Sequence, residues 1–163
     1  MIQKKICMLG AYAVGKTSLV GRFVRSMFSE KYQTTVGVKI DQKTVNVGDQ
    51  QVNMMLWDLH GEDEAQKVRL SYLRGASGYI LVVDGTRKDT LDIALNLHAT
   101  IRESVGDIPC TLVVNKSDLA PDWEIDPAAL DDLAENGWEV IRSSAKSGEG
   151  VEEAFLSLAS RMI

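Results

Sequence analysis

Short apolar runs alternate with stretches of helical periodicity from one end of the chain to the other. Lys5-Ile6-Cys7-Met8-Leu9 reads as an apolar run closed by Gly10, as a strand buried on both faces should be. Leu19, Val20, Phe23, Val24 and Met27 then recur at helical spacing. Val38 to Val47 and residues 52–57 flank Gly48-Asp49-Gln50, which predicts a hairpin closed by a short turn. Gly78 to Asp84 and Cys110 to Asn115 predict two further buried strands, and between them Leu91, Ala94, Leu95, His98 and Ile101 keep a helical stripe. Asp126 before Pro127 is a helix start, with Leu130, Leu133 and Ala134 on its apolar face and Gly137 as its stop. Residues 138–141 predict a last short strand, and Val151, Ala154, Phe155, Leu158, Ala159 and Met162 mark a final helix.

This alternation predicts an α/β protein. Its six-stranded sheet is mostly parallel, with one antiparallel edge strand from the hairpin and helices on both faces. In such sheets ligands bind beyond the carboxyl ends of the strands.

Composition narrows the class further. The 163 residues suit one domain, spanning 1–163, at ~150 residues per domain. With 45% hydrophobic and 25% charged residues, neither disorder nor a fibrous repeat fits. A net charge of −5 speaks against constitutive binding to nucleic acid or an anionic membrane. No apolar run approaches the ~20 residues of a membrane span, and Lys4-Lys5 leads into a glycine-rich loop rather than a signal peptide. Cys7 and Cys110 are far apart and flanked by apolar residues, so both read as buried thiols. The expectation is a soluble cytoplasmic domain.

The first strand-end loop, Gly10-Ala11-Tyr12-Ala13-Val14-Gly15-Lys16-Thr17-Ser18, matches G-x-x-x-x-G-K-[ST] in the required strand–helix context. Its glycines let the backbone wrap phosphates with inward N–H groups. Lys16 would reach the β- and γ-phosphates, and the Thr17 hydroxyl would ligate Mg²⁺. The fifth strand ends in Asn115-Lys116-Ser117-Asp118. The Asp118 carboxylate can accept both the ring N–H and the exocyclic amine of guanine, a pair that adenine does not offer. After the sixth strand, Ser144, Ala145 and Lys146 would bring a backbone N–H to the guanine carbonyl and a lysine stem to the base. Asp58-Leu59-His60-Gly61 follows the third strand, with Asp58 as a second Mg²⁺ anchor and the Gly61 N–H aimed at the γ-phosphate. Thr35, in Thr34-Thr35-Val36-Gly37, could complete the Mg²⁺ shell only with the γ-phosphate present, which would make a switch.

With these motifs in order over essentially the whole chain, the protein resembles a small GTPase of the Ras superfamily. Trp57 before Asp58, and Lys31-Tyr32-Gln33 before Thr34, make the Rab branch the closest likeness. The resemblance implies the P-loop NTPase fold for this six-stranded, mostly parallel sheet, and a GDP/GTP switch with Mg²⁺ and two mobile loops, roughly residues 28–38 and 59–74. It places Phe28 against the guanine. An effector, an exchange factor and a GTPase-activating protein would engage residues 28–40 and 57–74. It also implies an apolar effector patch of Ile40, Trp57 and Tyr72, for which ordinary edge-strand packing is the competing reading.

Three departures bear on activity. Glu62 stands where the family usually has Gln. A carboxylate accepts hydrogen bonds but cannot donate them, and it adds charge beside the phosphates, so intrinsic hydrolysis should be slow. Tyr12 could cover the nucleotide and obstruct an arginine from a partner, or simply turn outward. The chain ends at Ile163 without a C-terminal Cys, and Ile2 excludes myristoylation, so no lipid anchor of its own is expected and prokaryotic Ras-like GTPases are also similar. His98 should pack or hydrogen-bond on its helix, and His60 reads as a variable loop position. A GTP hydrolase with Lys16, Gly61 and Glu62 at the reacting end is therefore the first reading. The alternatives are a pseudo-GTPase that holds guanine nucleotide as a ligand and a phosphotransferase, for which no connection is long enough to form an acceptor lid.

Overall fold

Each predicted apolar run pairs with its neighbours in one sheet. The computed structural model describes residues 2–25, 38–59 and 70–163. Its strands are β1 (Ile2–Gly10), β2 (Val38–Val47), β3 (Gln50–Leu59), β4 (Gly78–Asp84), β5 (Cys110–Asn115) and β6 (Val140–Arg142). They lie in the order β2-β3-β1-β4-β5-β6. Only the β2–β3 pair is antiparallel; β1–β3, β1–β4, β4–β5 and β5–β6 are parallel. The helices are α1 (Lys16–Arg25), α2 (Asp89–Ser104), α3 (Pro127–Glu135) and α4 (Val151–Arg161). Expected and observed architecture agree.

The boundaries differ where tertiary pairing overrides local pattern. β1 begins at Ile2 because Ile2 to Lys4 pair with Val52 to Met54 of β3. β4 joins β1 only from Ile6 onward, so Lys4 and Lys5 sit on an uncovered side that tolerates charge. The hairpin turn is two residues, Gly48-Asp49, because Val47 pairs directly with Gln50. β6 starts at Val140 rather than at residue 138, since the Trp138 N–H donates to the Leu133 carbonyl at 3.0 Å and closes α3. The Asp126 carboxylate caps α3 as predicted, accepting from the Ala128 N–H at 2.9 Å.

Alternation along β1 divides the core. Ile6 and Met8 face one side with Phe23 of α1 and Phe155 of α4, whose rings stack at 4.1 Å. Cys7 and Leu9 face the other side with Tyr79, Leu81, Ala94 and Ile101. All seven residues of β4 are buried, as its unbroken apolar pattern requires. Both cysteines are free thiols, and burial pushes Cys7 up to about 11 and Cys110 to about 12. Among the described residues no helix is long and apolar enough to cross a membrane.

Candidate functional site

The carboxyl ends of β1, β4 and β5 form one rim of the sheet, and Asn115 joins the loops that leave it. Its side-chain N–H donates to the Val14 carbonyl at 3.0 Å, inside the loop after β1. Its side-chain oxygen accepts from the Ala145 N–H at 3.2 Å and the Ser143 hydroxyl at 3.4 Å, both after β6. Asn115, Ser143 and Ser144 are buried, so each of these polar groups needs its partner. Asp118 accepts from the Ser144 hydroxyl at 2.8 Å, and the Ser117 N–H donates to the Ser143 carbonyl at 2.9 Å. Three sequence motifs, far apart along the chain, therefore meet at one place.

The backbone there adopts conformations that side chains disfavour. Among the described residues only Ala13 and Lys116 have positive φ without being glycine, at 62° and 72°. Both belong to the predicted nucleotide-binding set, which fits strain held at a functional site by its surroundings. Gly15, at φ 102°, has no room for a side chain: a Cβ would lie 2.3 Å from Asn115 Nδ2. At Gly10 the obstacle is the Val82 carbonyl oxygen, 2.4 Å from a Cβ.

Beyond Gly15, α1 begins at Lys16. The Lys16 side chain is buried, and Nζ lies 3.5 Å from the Ala11 carbonyl oxygen. The Thr17 hydroxyl donates to Asp58 Oδ2 at 2.6 Å, across from α1 to the end of β3, and Asp58 is buried. Those two residues were predicted as metal anchors, and their oxygens stand together. Ser18 is half-buried in the first turn of α1, and Tyr12 is 41% exposed on the loop. Lys146 is exposed beside the buried Ala145. Among the described residues no three His, Cys, Asp or Glu side chains converge as a metal cage.

Phe28, Thr35, His60, Gly61 and Glu62 fall outside the described residues, as do most of the two loops predicted at 28–38 and 59–74. The three residues of the expected apolar patch are contiguous. Ile40 pairs with Trp57 across the β2–β3 ladder, and the Trp57 and Tyr72 rings lie 6.5 Å apart. Ile40 is exposed, whereas Trp57 and Tyr72 are half-buried against the core, with Lys5 Nζ 3.8 Å from the Trp57 ring centre. His98 does not bond its own helix: its Nδ1 lies 2.6 Å from the Tyr79 hydroxyl on β4, beside the Trp138 ring.

Sequence reasoning passed over the loop after β4. Asp84 is buried at its start, and Asp84 Oδ2 accepts from Lys116 Nζ at 2.7 Å. Burial by itself would raise the Asp84 carboxyl pKa, but hydrogen bonds from Lys116 and Thr86 outweigh it and hold the group below the ordinary carboxylate range. The available signal was the rule that strand carboxyl ends carry the chemistry, together with Asp84 and Thr86 spaced as in an Asx turn.

A model of the Ras family matches residues 5–163. Ras-related protein Rab-21 from Mus musculus is 35% identical over 161 residues, covering 98% of this chain and 72% of that protein. Ras-related protein RABA6b from Arabidopsis thaliana is 36% identical over 163 residues, covering 97% of this chain and 70% of its own. Ras-related protein Rab-4 from Dictyostelium discoideum is 32% identical over 154 residues, or 93% of this chain and 75% of that one.

Proposed function

The chain belongs to the Ras family, and from that premise we propose a guanine-nucleotide switch that binds GTP or GDP with Mg²⁺ and hydrolyses GTP slowly. The junction at Asn115 carries the reading, because it holds the phosphate loop and both base loops at a common rim. Within residues 10–18, backbone N–H groups and Lys16 cradle the phosphates, and the positive charge of Lys16 offsets charge building on them during transfer. Asp118 accepts from the guanine N–H and amine, while the Ser144-Ala145 backbone and the Lys146 stem meet the rest of the base.

Thr17 and Asp58 suit Mg²⁺: a hydroxyl and a carboxylate, both hard oxygen donors, lie 2.6 Å apart at the phosphate end. A magnesium site needs only one or two such groups besides phosphates and water. When bound, the ion neutralises part of the β,γ-phosphate charge. Thr35 joins this set from the first switch loop and Phe28 packs on the base. The Gly61 N–H meets the γ-phosphate. Glu62 orients water poorly, because it cannot donate a hydrogen bond and repels charge, and this makes hydrolysis slow.

Residues 1–163 work as one domain, a reading supported by a sheet whose strands run from Ile2 to Arg142 with α4 packed on it. Effector, exchange factor and activating protein engage residues 28–40 and 57–74, where Ile40, Trp57 and Tyr72 offer one apolar surface. Two free thiols are consistent with the reducing cytoplasm. The test is to extract the nucleotide that copurifies, reload with GTP and Mg²⁺, and follow it for hours by chromatography. Guanine nucleotide and slow conversion to GDP are expected. Persistent GTP would move the reading to a nucleotide-binding module, and adenine nucleotide would overturn the role of Asp118.

A further inference from the structure

Between β4 and α2 runs a short connection, residues 85–88, that carries no guanine-nucleotide signature and yet touches both ends of the site. Its shape is fixed from below. The Asp84 N–H donates to the hydroxyl of the fully buried Thr90 at 3.0 Å, and Asp84 Oδ1 accepts from the Thr86 N–H at 2.9 Å and the Thr86 hydroxyl at 2.7 Å. The Arg87 N–H donates to the Asp84 carbonyl at 2.9 Å, and the Arg87 carbonyl accepts from the Thr90 hydroxyl at 2.6 Å. The backbone of Arg87 is thus pinned before its side chain is considered.

From that fixed point the guanidinium reaches in two directions. Nη2 donates to the Tyr12 carbonyl in the phosphate loop at 2.7 Å. Nε lies 3.5 Å from Asp84 Oδ2, the same oxygen that takes Lys116 Nζ at 2.7 Å. We propose that Arg87 is a positioning residue for nucleotide retention: it ties the mouth of the phosphate loop to the Asp84 carboxylate that holds Lys116, fixing the spacing between phosphate and base ends. A guanidinium suits this task because its rigid plane donates a hydrogen bond to the Tyr12 carbonyl while keeping its charge beside the Asp84 carboxylate, an ion pair without a hydrogen bond, which the point charge of a lysine does less well. The inference rests on the guanine-nucleotide reading of the site.

The test loads the protein with N-methylanthraniloyl-GDP in Mg²⁺ and chases with excess unlabelled GDP. For Arg87→Ala, release should be about tenfold faster than wild type, the scale of one lost charge-assisted hydrogen bond. Arg87→Lys should fall between. Melting in excess GDP and after nucleotide removal separates positioning from mere stability. The side chain is 38% exposed, so Arg87→Ala should melt near wild type without nucleotide and gain less from GDP. Release within twofold of wild type, or an undiminished gain from GDP, would overturn the proposal. Should the alanine variant not fold, wild-type release by Arg87→Lys overturns it alone. A wild type that takes up no labelled GDP overturns the guanine reading, and this proposal with it.

Discussion

In the proposed switch, the base end and the phosphate end of the site are built differently. At the base end, protein groups bond one another between loops: Asn115 joins Val14, Ser143 and Ala145, and the Ser144 hydroxyl donates to Asp118. At the phosphate end the described polar groups are charged or hard-oxygen donors, Lys16, Thr17 and Asp58, drawn from the start of α1 and the end of β3. The base end is therefore preorganised by the fold itself, whereas the chemistry of the phosphate end is chosen for anions and a cation. On the proposed reading, recognition of the base and response to the γ-phosphate would then change separately, as a switch requires.

The largest effect should come from Asn115→Ala. It strands the Val14 carbonyl and the Ala145 N–H, each at a cost of ~1–3 kcal/mol, so GDP release should rise about a hundredfold and the melting temperature should fall. Unchanged release would break the contrast, because the base end would not depend on its internal ties. Next, Thr17→Ala should abolish most of the acceleration that a chelator produces in the wild type, an effect of roughly tenfold or more if the ion bridges protein and phosphates. Equal sensitivity to chelator in both proteins would remove Thr17 from the metal set. A smaller gain, about threefold to tenfold in single-turnover hydrolysis, should follow Glu62→Gln, since the amide restores a donor without adding charge. It should leave GDP release untouched.

The smallest effect lies away from both ends. Burial, and then the positive charge of Arg102, lower the His98 pKa against an opposing contribution from Asp107. The unfolded chain then binds more protons than the folded one just below the ordinary histidine range of ~6.5, so stability is complete above that pH. It declines as pH falls through the lowered folded value, where the ring beside the Tyr79 hydroxyl takes up a proton in its partly buried site. Thermal melts from pH 7.5 to 5 should show a loss of a few degrees in the wild type and a flatter profile in His98→Gln. Matching profiles would assign the acid sensitivity elsewhere.

Much of this was legible in the sequence because the signals are local. The continuous apolar run of β4 has the length and β-branched content of a strand covered on both faces, and the glycine-rich loop between β1 and α1 matches a phosphate-binding pattern in its strand–helix context. Boundaries were less legible: β1 reaches back to Ile2 because of its pairing with β3, and Trp138 leaves β6 because its N–H closes α3. Arg87 was illegible for a different reason. Its acceptor is a backbone carbonyl 75 residues away, and no residue type in that pairing marks it. The Asn115 junction was half legible, since the motif named the residue but not its grip on Val14.

The 2.3 Å clearance that a Cβ at Gly15 would have from Asn115 bears on the choice of alleles for genetics. A substitution there would not make a clean phosphate-blind protein. It would press on Asn115, to which the proposed function gives the ordering of the base loops, so one lesion would impair contacts to both halves of the nucleotide and the phenotype would be mistaken for a single defect. Lys16 and Thr17 are the better handles for a cell-based test, because altering their side chains leaves the Asn115 contacts in place.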